Sequence, residues 1–340
     1  MDSLDRPKRA PRMIGESASF LEMQEHISAV APLHKPVLIV GERGTGKELV
    51  AARLHYLSRR WEQTFLKLNC AAMTESLLEA QLFGHEAGAF TGATKQRKGF
   101  FERADAGTLF LDELANTDMS VQEKILRVIE YGEFERLGGN ETLSVDVRLI
   151  AATNEDLPQL ARQKKFRDDL LDRLAFDVIT LPPLRERAED ILIIAEHFAV
   201  GMVKEIGGEF FVGFSTKVEQ QLLDYSWPGN IRELKNVVER AVYQHGDQVI
   251  THLVFNPFDS PYRPQVTPDT HSEATIVVPE APNLAALEAF DFKTEIQNYE
   301  INLLKQALEQ NQFNQKKAAE YLQLTYHQLR GYLRKYDLLG

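Results

Sequence analysis

The fold is decided by one stretch, Val37-Leu38-Ile39-Val40-Gly41-Glu42-Arg43-Gly44-Thr45-Gly46-Lys47-Glu48. It joins an apolar strand to a glycine loop, and the helix-like segment Leu49–Tyr56 follows directly. Glycines let backbone N–H groups converge on phosphate oxygens, the helix N-terminus adds its positive dipole end, and Lys47 can reach the outer phosphates. A glycine-rich turn without a ligand is the alternative. The order of strand, loop and helix favours nucleotide contacts by all eight residues from Gly41 to Glu48.

A pair of acidic residues supplies the second part of a hydrolysis site. The apolar run Thr108–Leu111 ends in Asp112 and Glu113. Glu48 stands where many phosphate loops carry a hydroxyl that touches magnesium, so the metal must be held elsewhere. One carboxylate at the strand end can hold Mg²⁺ through water, and the next can polarise the attacking water. An ordinary acidic strand end is the alternative, but the pair and the loop together predict ATP hydrolysis with Mg²⁺.

The composition limits the class of protein. The chain has 340 residues, a net charge of -11 and a single cysteine, so it cannot form an internal disulfide. Residues 1–12 are basic but lack the apolar core of a signal peptide, and no run approaches the ~20 apolar residues of a membrane helix. We expect a cytoplasmic protein without a membrane span. Its DNA binding must be local, because the surface as a whole is acidic.

The apolar pattern changes along the chain. Short apolar runs between amphipathic stretches predict a parallel α/β sheet with strands at Val37–Val40, Phe65–Asn69, Thr108–Leu111 and Val147–Ala151. Strands stop from Pro182, where helical spacing predicts helices at Asp190–Val203, Lys217–Tyr225 and Asn230–Gln244. Residues 257–292 hold six prolines and a net charge of -5, which indicates a solvated linker. The expected domains are an arm at 1–12, an α/β subdomain at 13–181, a helical lid at 182–256, the linker at 257–292 and a DNA-binding unit at 293–340.

Three further stretches carry a family resemblance. They are Gly88–Ala93, Phe166–Leu174 and Trp227–Leu234. With the phosphate loop that ends in Glu48, they closely resemble the AAA+ activators of sigma-54 RNA polymerase, the bacterial enhancer-binding proteins. The resemblance covers residues 13–255 and implies an αβα sandwich with a helical lid. It also implies an ATPase that remodels the closed promoter complex of the sigma-54 holoenzyme into an open one.

The resemblance implies a ring, usually a hexamer, with ATP at the subunit interfaces. Arg167 and Arg173 would then be fingers that reach the γ-phosphate of a neighbouring subunit and neutralise charge in the transition state. A pair of surface salt bridges with Asp168, Asp169 and Asp172 is their alternative.

Four polar residues resemble the nucleotide sensors of the family. Arg232 resembles the sensor arginine of the lid, which contacts the nucleotide of its own subunit. Thr153 and Asn154, which follow the fourth predicted strand, resemble the polar sensor beside the acidic pair. Asn69 resembles the switch residue that holds Glu113 unproductive until the γ-phosphate is sensed. A turn former at a strand end is the alternative for Asn69.

The segment Gly88-Ala89-Phe90-Thr91-Gly92-Ala93 is predicted to be an exposed loop. Two glycines and three small residues around one phenylalanine cannot form a core strand, and the flanking residues 84–86 keep the segment in solvent. Phe90 is then an exposed aromatic and a contact point. The resemblance implies that these six residues dock onto sigma-54.

The C-terminal segment has the pattern of three helices at Thr294–Gln310, Gln315–Leu322 and Tyr326–Tyr336. Thr325 is a good N-cap for the last helix, and the final 27 residues carry a net charge of +3. Residue types that reach bases and phosphates lie on that helix at Tyr326, His327, Gln328, Arg330 and Arg334. The unit resembles a Fis-type helix-turn-helix that binds enhancer DNA, although Gln323 stands where the family usually has a turn glycine. A helical oligomerisation module is the alternative.

Regulation is expected to come from a separate protein, because no receiver or sensor domain precedes the ATPase. The resemblance implies that this partner is a bound negative regulator. Trp61, in the polar stretch 58–63, is a candidate contact for that partner, and core packing is its alternative. Two other functions stay open, a general AAA+ remodeller of protein or DNA and a repressor with a vestigial ATPase. The loop Gly88–Ala93 argues against the first, and the intact acidic pair with Arg167 argues against the second.

Overall fold

The structure is a computed structural model that describes residues 12–259, 292–311, 314–336 and 338. The chain divides into two compact units, Met1–Pro261 and Tyr262–Gly340. The predicted N-terminal arm up to residue 11 and the predicted linker from residue 260 to 291 lie outside the described residues. Within the described ranges, every helix is too short or too polar to cross a membrane.

The first unit is built on a parallel sheet. The strands are β1 (Val37–Val40), β2 (Phe65–Asn69), β3 (Gly84–His85), β4 (Arg97–Lys98), β5 (Thr108–Asp112), β6 (Glu133–Glu135), β7 (Thr142–Ser144), β8 (Arg148–Thr153) and β9 (Val178–Thr180). Five of them form the sheet in the order β2-β5-β8-β1-β9, all parallel. The four predicted strands are confirmed, although the last begins after Val147 and continues to Thr153. The fifth strand and the two antiparallel pairs, β3 with β4 and β6 with β7, were not predicted.

Helices cover the sheet, form the lid and make up the second unit. They are α1 (Ala18–Val30), α2 (Lys47–Tyr56), α3 (Glu75–Phe83), α4 (Phe100–Arg103), α5 (Met119–Tyr131), α6 (Leu157–Arg162), α7 (Asp168–Leu174), α8 (Ala188–Glu205), α9 (Thr216–Asp224), α10 (Asn230–His245), α11 (Phe292–Gln310), α12 (Gln315–Tyr321) and α13 (Tyr326–Lys335). The six helices predicted in the lid and at the C-terminus are confirmed to within two residues at each end.

Side chains of the strands alternate between two cores. Leu109 and Leu111 of β5 join the core that contains α5 and α7, whereas Phe110 joins the core that contains α1 and α2. Both faces of the sheet are therefore buried, as expected for parallel strands. The register places Asn69 beside Asp112, and Val40 beside Thr153. The carboxyl ends of β1, β2, β5 and β8 thus meet at one edge, where ligands bind in open α/β sheets.

The lid packs α8, α9 and α10 around Trp227, which is fully buried. The Trp227 indole donates a hydrogen bond to the Leu222 carbonyl at 2.8 Å. Trp227 itself has a positive φ of 49°, and Asn230, the first residue of α10, has a φ of 51°. The turn from Trp227 to Asn230 is therefore anchored in the lid core by Trp227, and both of its end residues have backbone conformations that are uncommon for residues other than glycine.

The second unit is a small three-helix core. Leu304, Ala307 and Leu308 of α11 pack against α12 and α13, whose buried residues are Ala318, Ala319, Leu329 and Leu333. Thr325 caps α13 as predicted, in a capping box with Gln328. Gln323 adopts a φ of 53°, so this turn has the left-handed conformation for which glycine is better suited.

Candidate nucleotide-hydrolysis site

The phosphate loop runs from the end of β1 into α2, as its sequence predicted. Gly44 and Gly46 have φ angles of 80° and 97°, which explains why glycine is needed at both positions. The Lys47 side chain is buried, and its Nζ donates to the carbonyl oxygens of Gly41 at 2.9 Å and Glu42 at 3.3 Å. The Thr45 hydroxyl donates to the same Glu42 carbonyl at 2.8 Å. The loop therefore curls around the ammonium group that would face the outer phosphates.

The acidic pair stands at the end of β5, beside this loop. Burial raises the pKa of Asp112, and the nearby Lys47 ammonium opposes that rise. Burial also lowers the pKa of Lys47, against the effect of Glu113 and Asp112. Glu113 has a φ of 55°, and its N–H donates to the Asp112 carboxylate at 3.1 Å. The parallel strands β1 and β5 thus bring the lysine and both carboxylates to one partly buried edge of the sheet.

Asn154 and Asn69 have different roles from each other in this structure. With its amide nitrogen turned towards the carboxylate, Asn154 donates to both oxygens of Glu113. The Asn69 side chain instead accepts a hydrogen bond from the Ala71 N–H at 2.9 Å and caps a short 3₁₀ turn. The turn-forming alternative for Asn69 thus describes the state seen here. Asn154 is the residue in contact with Glu113.

Thr153 is the last residue of β8 rather than a residue beyond it. Its carbonyl oxygen accepts from the Gly41 N–H at 3.2 Å, and its hydroxyl accepts from the Glu155 N–H at 2.9 Å. The side chain is fully buried. Thr153 therefore positions the start of the phosphate loop through the backbone.

The two acidic residues of the loop bind other parts of the first unit. The Glu48 carboxylate accepts from Lys67 of β2 at 2.8 Å on the surface. Glu42 forms a two-bond ion pair with Arg185, at 3.0 and 2.6 Å, and also accepts from Asn230 at 3.0 Å. These hydrogen bonds lower the pKa of Glu42 to about 2. The Glu42 side chain is thus directed to the lid, a connection that the sequence did not indicate.

Positive charge surrounds the phosphate loop. The Lys47 ammonium lies close enough to the Arg232 and Arg43 guanidinium groups for both to lower its pKa, and Arg232 also acts on Asp112. A Cβ added at Gly44 would lie 3.1 Å from the Arg232 Cβ. The lid therefore brings Arg232 to the loop of the same chain, where three cationic side chains can face a triphosphate.

The exposed loop predicted at residues 88–93 connects β3 and β4. Gly88 and Gly92 have φ angles of 85° and 104° with open space around both, and the Gly88 N–H donates to the Ala93 carbonyl at 2.7 Å. The Phe90 side chain is 48% exposed, as predicted, and its ring meets His85 edge-on at 5.0 Å. The loop is therefore a small closed turn with an aromatic at its tip.

Partly buried ion pairs hold the base of this loop. Arg136, which follows β6, binds Glu86 at 2.8 Å and Glu102 of α4 at 2.7 Å. Hydrogen bonds from Gln96 and Arg136 lower the pKa of Glu86, and the bond from Arg136 lowers that of Glu102. A Cβ on Gly138 would lie 2.8 Å from the Ala89 Cβ. The turn between β6 and β7 and the loop are therefore packed together.

The second unit presents the predicted polar face on α13. His327, Arg330 and Arg334 are exposed, and Tyr326 is half-buried with its ring 6.0 Å from the His327 ring. Gln328 is also exposed, but its side chain accepts from the Thr325 N–H at 2.9 Å in the capping box. Four of the five predicted DNA contacts are thus on a solvent-facing surface without a competing structural role, among the bonds described for this unit.

Comparison with known proteins agrees with this architecture. Residues 13–180 match the sigma-54 interaction domain, residues 185–264 match the AAA+ ATPase lid domain, and residues 296–336 match the Fis family of bacterial regulatory proteins. The chain is 56% identical over 328 residues to the Psp operon transcriptional activator of Escherichia coli (strain K12), covering 96% of this chain and 98% of that relative. The chain belongs to the sigma-54 activator family of AAA+ ATPases.

Other relatives support the same assignment. The regulatory protein AtoC of Escherichia coli (strain K12) is 39% identical over 326 residues, which cover 96% of this chain and 68% of the relative. The crystal structure of NtrX from Brucella abortus in complex with ADP has a TM-score of 0.68 and 30% identity, covering 95% of this chain and 69% of that one. This sigma-54 activator is therefore an ATP-binding ATPase that uses hydrolysis to remodel sigma-54 polymerase, and the predicted family, fold and DNA-binding unit are confirmed.

The side-chain bonds described for the two candidate finger arginines of this activator are all to carboxylates outside the phosphate loop. Arg167 binds Asp169 at 2.8 Å and Glu123 of α5 at 3.4 Å, and Arg173 binds Glu130 of α5 at 2.7 Å. The salt-bridge alternative is thus partly realised, with Asp169 as the one predicted acidic partner among these bonds. Each arginine is held by carboxylates at the surface of the same chain, where the bonds can be exchanged.

Trp61 is 56% exposed, so its core-packing alternative is wrong. Its loop is anchored by the neighbouring Arg60, which donates to the carbonyl oxygens of Gly107 at 3.0 Å and Asp146 at 2.7 Å. Trp61 is therefore a surface aromatic on an anchored loop.

Proposed function

We propose that this activator drives the psp, or phage shock, operon of its own organism. The support is the relative described above, of which the chain covers 98% at 56% identity. We further propose that it acts in the cytoplasm, where its DNA and its polymerase are found, and that the domain limits are 13–181, 182–256 and 293–340. The observation that carries the mechanism is that β1, which leads into the loop with Lys47, and β5, which ends in Asp112 and Glu113, end at the same edge of the sheet.

In this site each side chain has a separate task. Lys47 and the loop N–H groups bind the outer phosphates, and Arg232 adds a second positive charge from the lid. Glu113 orients and polarises the attacking water. Asp112, with Glu113, would hold Mg²⁺, since carboxylate oxygens are the donors that this ion prefers and the Glu48 side chain is bonded to Lys67. The ion, when bound, supplies charge neutralisation at the phosphate oxygens.

We propose that Asn154 and Asn69 alternate at Glu113. Asn154 donates to the carboxylate in the present state, which restrains the group that must orient water. Asn69 stands beside Asp112 in the sheet register and would engage Glu113 after leaving its bond to Ala71. Such an exchange would make the catalytic carboxylate responsive to the nucleotide.

The active assembly is proposed to be a ring, usually a hexamer, with the site completed by a neighbour. Arg167 and Arg173 lie at the surface of α7 with carboxylate partners that can be exchanged, which suits groups that reach into another subunit. A guanidinium there would neutralise charge on the transferring phosphoryl group.

The loop Gly88–Ala93 is the proposed contact with sigma-54. Its exposed tip, Phe90 with Thr91, would bind the sigma factor, and its packed base would raise or lower it with the nucleotide state. The face of α13 would place the activator on enhancer DNA through Tyr326, His327, Gln328, Arg330 and Arg334. A negative regulator of the phage shock type would bind the exposed Trp61.

The test distinguishes ATP hydrolysis from the promoter opening that it drives. Phe90→Ala should retain ATPase activity within about threefold, because the loop lies outside the phosphate site, and should lose at least about tenfold in promoter opening by sigma-54 polymerase. Lys95→Ala, an exposed change in the same connection outside the six residues, is the matched control and should open promoters normally. Normal opening by the Phe90 variant would refute the coupling.

A further inference from the structure

One residue of the lid, Asn230, forms side-chain hydrogen bonds to the phosphate loop that none of the sensor roles described above explains. Asn230 is fully buried although it is polar, and all three of its described side-chain bonds cross between elements. Its oxygen accepts from the Leu184 N–H at 2.8 Å, and its nitrogen donates to the Glu42 carboxylate and to the Arg43 carbonyl, both at 3.0 Å. One amide therefore joins the loop, the segment that leads into the lid, and the lid helix α10.

The backbone around Asn230 is also unusual. Its φ of 51° lies in the left-handed region, where residues other than glycine are uncommon and concentrate at functional sites. A Cβ on Gly44 would lie 2.2 Å from the Gly229 carbonyl oxygen, so the loop and this turn are in direct backbone contact. The turn itself is fixed to the lid by the buried Trp227. Movement of the phosphate loop is therefore passed to a rigid part of the lid.

A second bond strengthens the same connection. Glu42 holds Arg185 with two hydrogen bonds, and Arg185 directly follows Leu184, the residue whose N–H is bound by Asn230. Glu42, Arg185 and Asn230 form what we call the loop–lid clasp. Arg232 is two residues beyond Asn230 in α10, in its first turn. Through Asn230, the clasp therefore reaches the same helix turn as Arg232.

We propose that Asn230 is a positioning residue for ATP hydrolysis, which sets Arg232 over the phosphate loop through the loop–lid clasp. The proposal rests on the phosphate-binding role proposed above for Arg232. Phosphates that enter the loop displace the Glu42 and Arg43 backbone, and the Asn230 amide carries that displacement to α10. The lid then closes or opens in step with the loop.

The test removes the amide without straining the backbone. Asn230→Gly keeps the positive φ and deletes the three bonds, whereas Asn236→Gly makes the same change at an exposed position of the same helix. In the full-length protein, Asn230→Gly should lower kcat about 10- to 100-fold, the range for a misplaced catalytic group, and change the Kd of fluorescent mant-ATP by less than about threefold. Asn236→Gly should match the wild type in both.

A double variant distinguishes positioning from a general structural effect. If Asn230 acts through Arg232, adding Asn230→Gly to Arg232→Ala should lower kcat by less than about twofold more, whereas a structural loss would be additive. Glu42→Gln keeps the shape of the side chain and weakens its bond to Arg185. It should lower kcat about 3- to 10-fold with little change in the Kd of mant-ATP. This variant replaces Asn230→Gly in the test if Asn230→Gly does not fold.

Two results would overturn the inference. They are a wild-type kcat for Asn230→Gly, and an equal loss with and without Arg232. Absence of ATP turnover by the wild-type protein would instead contradict the proposed catalytic roles.

Discussion

A buried acid joins the lid to the segment before α1, and its charge can be removed with little change of shape. Asp190 in α8 is fully buried and accepts four hydrogen bonds, from the Glu16 N–H at 2.6 Å, the Ser17 N–H at 2.9 Å, the Ser17 hydroxyl at 2.7 Å and the Arg187 guanidinium at 2.8 Å. Asp190→Asn retains one acceptor oxygen and turns an amide N–H₂ towards the other donors. If the amide nitrogen replaces Oδ2 it faces the Arg187 guanidinium, and if it replaces Oδ1 it faces the Glu16 and Ser17 N–H groups, so at least one donor then faces another donor.

The expected cost follows from burial. The Asp190 and Arg187 side chains are 0% and 4% exposed, so the pair is screened little by water. Breaking a buried ion pair by changing one partner costs ~3–5 kcal/mol, and we take about 3 because the isosteric amide keeps part of the bonding. For a unit of this size, about 2–4 °C is lost per kcal/mol, so the melting temperature should fall by about 6–12 °C.

The assay is thermal and urea unfolding of the full chain, followed by circular dichroism at one protein concentration. Glu189→Gln, which neutralises the exposed neighbour in the same helix turn, is the matched control and should stay within about 0.5 kcal/mol of the wild type. An Asp190→Asn variant as stable as this control would refute the argument from burial.

The same prediction has a pH dependence. Burial raises the pKa of Asp190, but hydrogen bonds from Glu16, Ser17 and Arg187 outweigh it and hold the pKa below its ordinary value. A lowered carboxyl pKa gives stability that is complete above the unfolded value, ~3.9, and is lost as pH falls through the folded value. The difference between wild type and Asp190→Asn should therefore be constant near neutral pH and shrink below about pH 4.

Three further changes test other parts of the account. Gly44→Ala should lower ATPase kcat/KM by at least about tenfold, because its Cβ would lie 2.2 Å from the Gly229 carbonyl oxygen at a φ of 80°. Gln323→Gly should increase hydrogen-exchange protection of α12 and α13 by about 0.5–1 kcal/mol, because it relieves the positive φ of 53°. Arg330→Ala with Arg334→Ala should abolish enhancer footprinting while ATPase activity stays within about twofold.

Each of these has a result that contradicts it. For Gly44 the matched control is Gly201→Ala, which has open space around its Cβ, and equal activity of the two variants would remove the argument. Unchanged or weaker protection in the Gln323 variant would show that the turn is not strained. An intact footprint in the double arginine variant would mean that another face of the unit binds DNA.

The sequence predicted those parts of the molecule whose structure depends on residues that are close together along the chain. The strand, loop and helix around Lys47 follow from apolar spacing and glycines, and Thr325 was recognisable as a cap from its residue type and position. The strand Val178–Thr180 was missed because it has three residues and only Ile179 is buried, which is too short for a periodic pattern. The pair β3 with β4 has two residues in each strand and leaves no pattern at all.

The sequence also did not predict contacts between residues that are far apart along the chain. Glu42 and Asn230 are 188 residues apart, and no local pattern brings a loop glutamate to a lid asparagine. Asn69 was expected to hold Glu113, and Asn154 was expected beside the acidic pair. Both stand where a strand ends at one edge of the sheet, and Asn154 is the one in contact with Glu113. The sequence identifies the edge of the sheet at which both asparagines lie, and side-chain packing determines which of them contacts Glu113.

The central claim is that ATP cleavage at the Lys47 site opens promoters held by sigma-54 polymerase. The direct measurement is the yield of open complexes on a sigma-54 promoter, with ATP and with a non-hydrolysable analogue, for the wild type and for Lys47→Ala. We predict open complexes only for the wild type with ATP. Equal yields for Lys47→Ala, or for the wild type with the analogue, would contradict the claim.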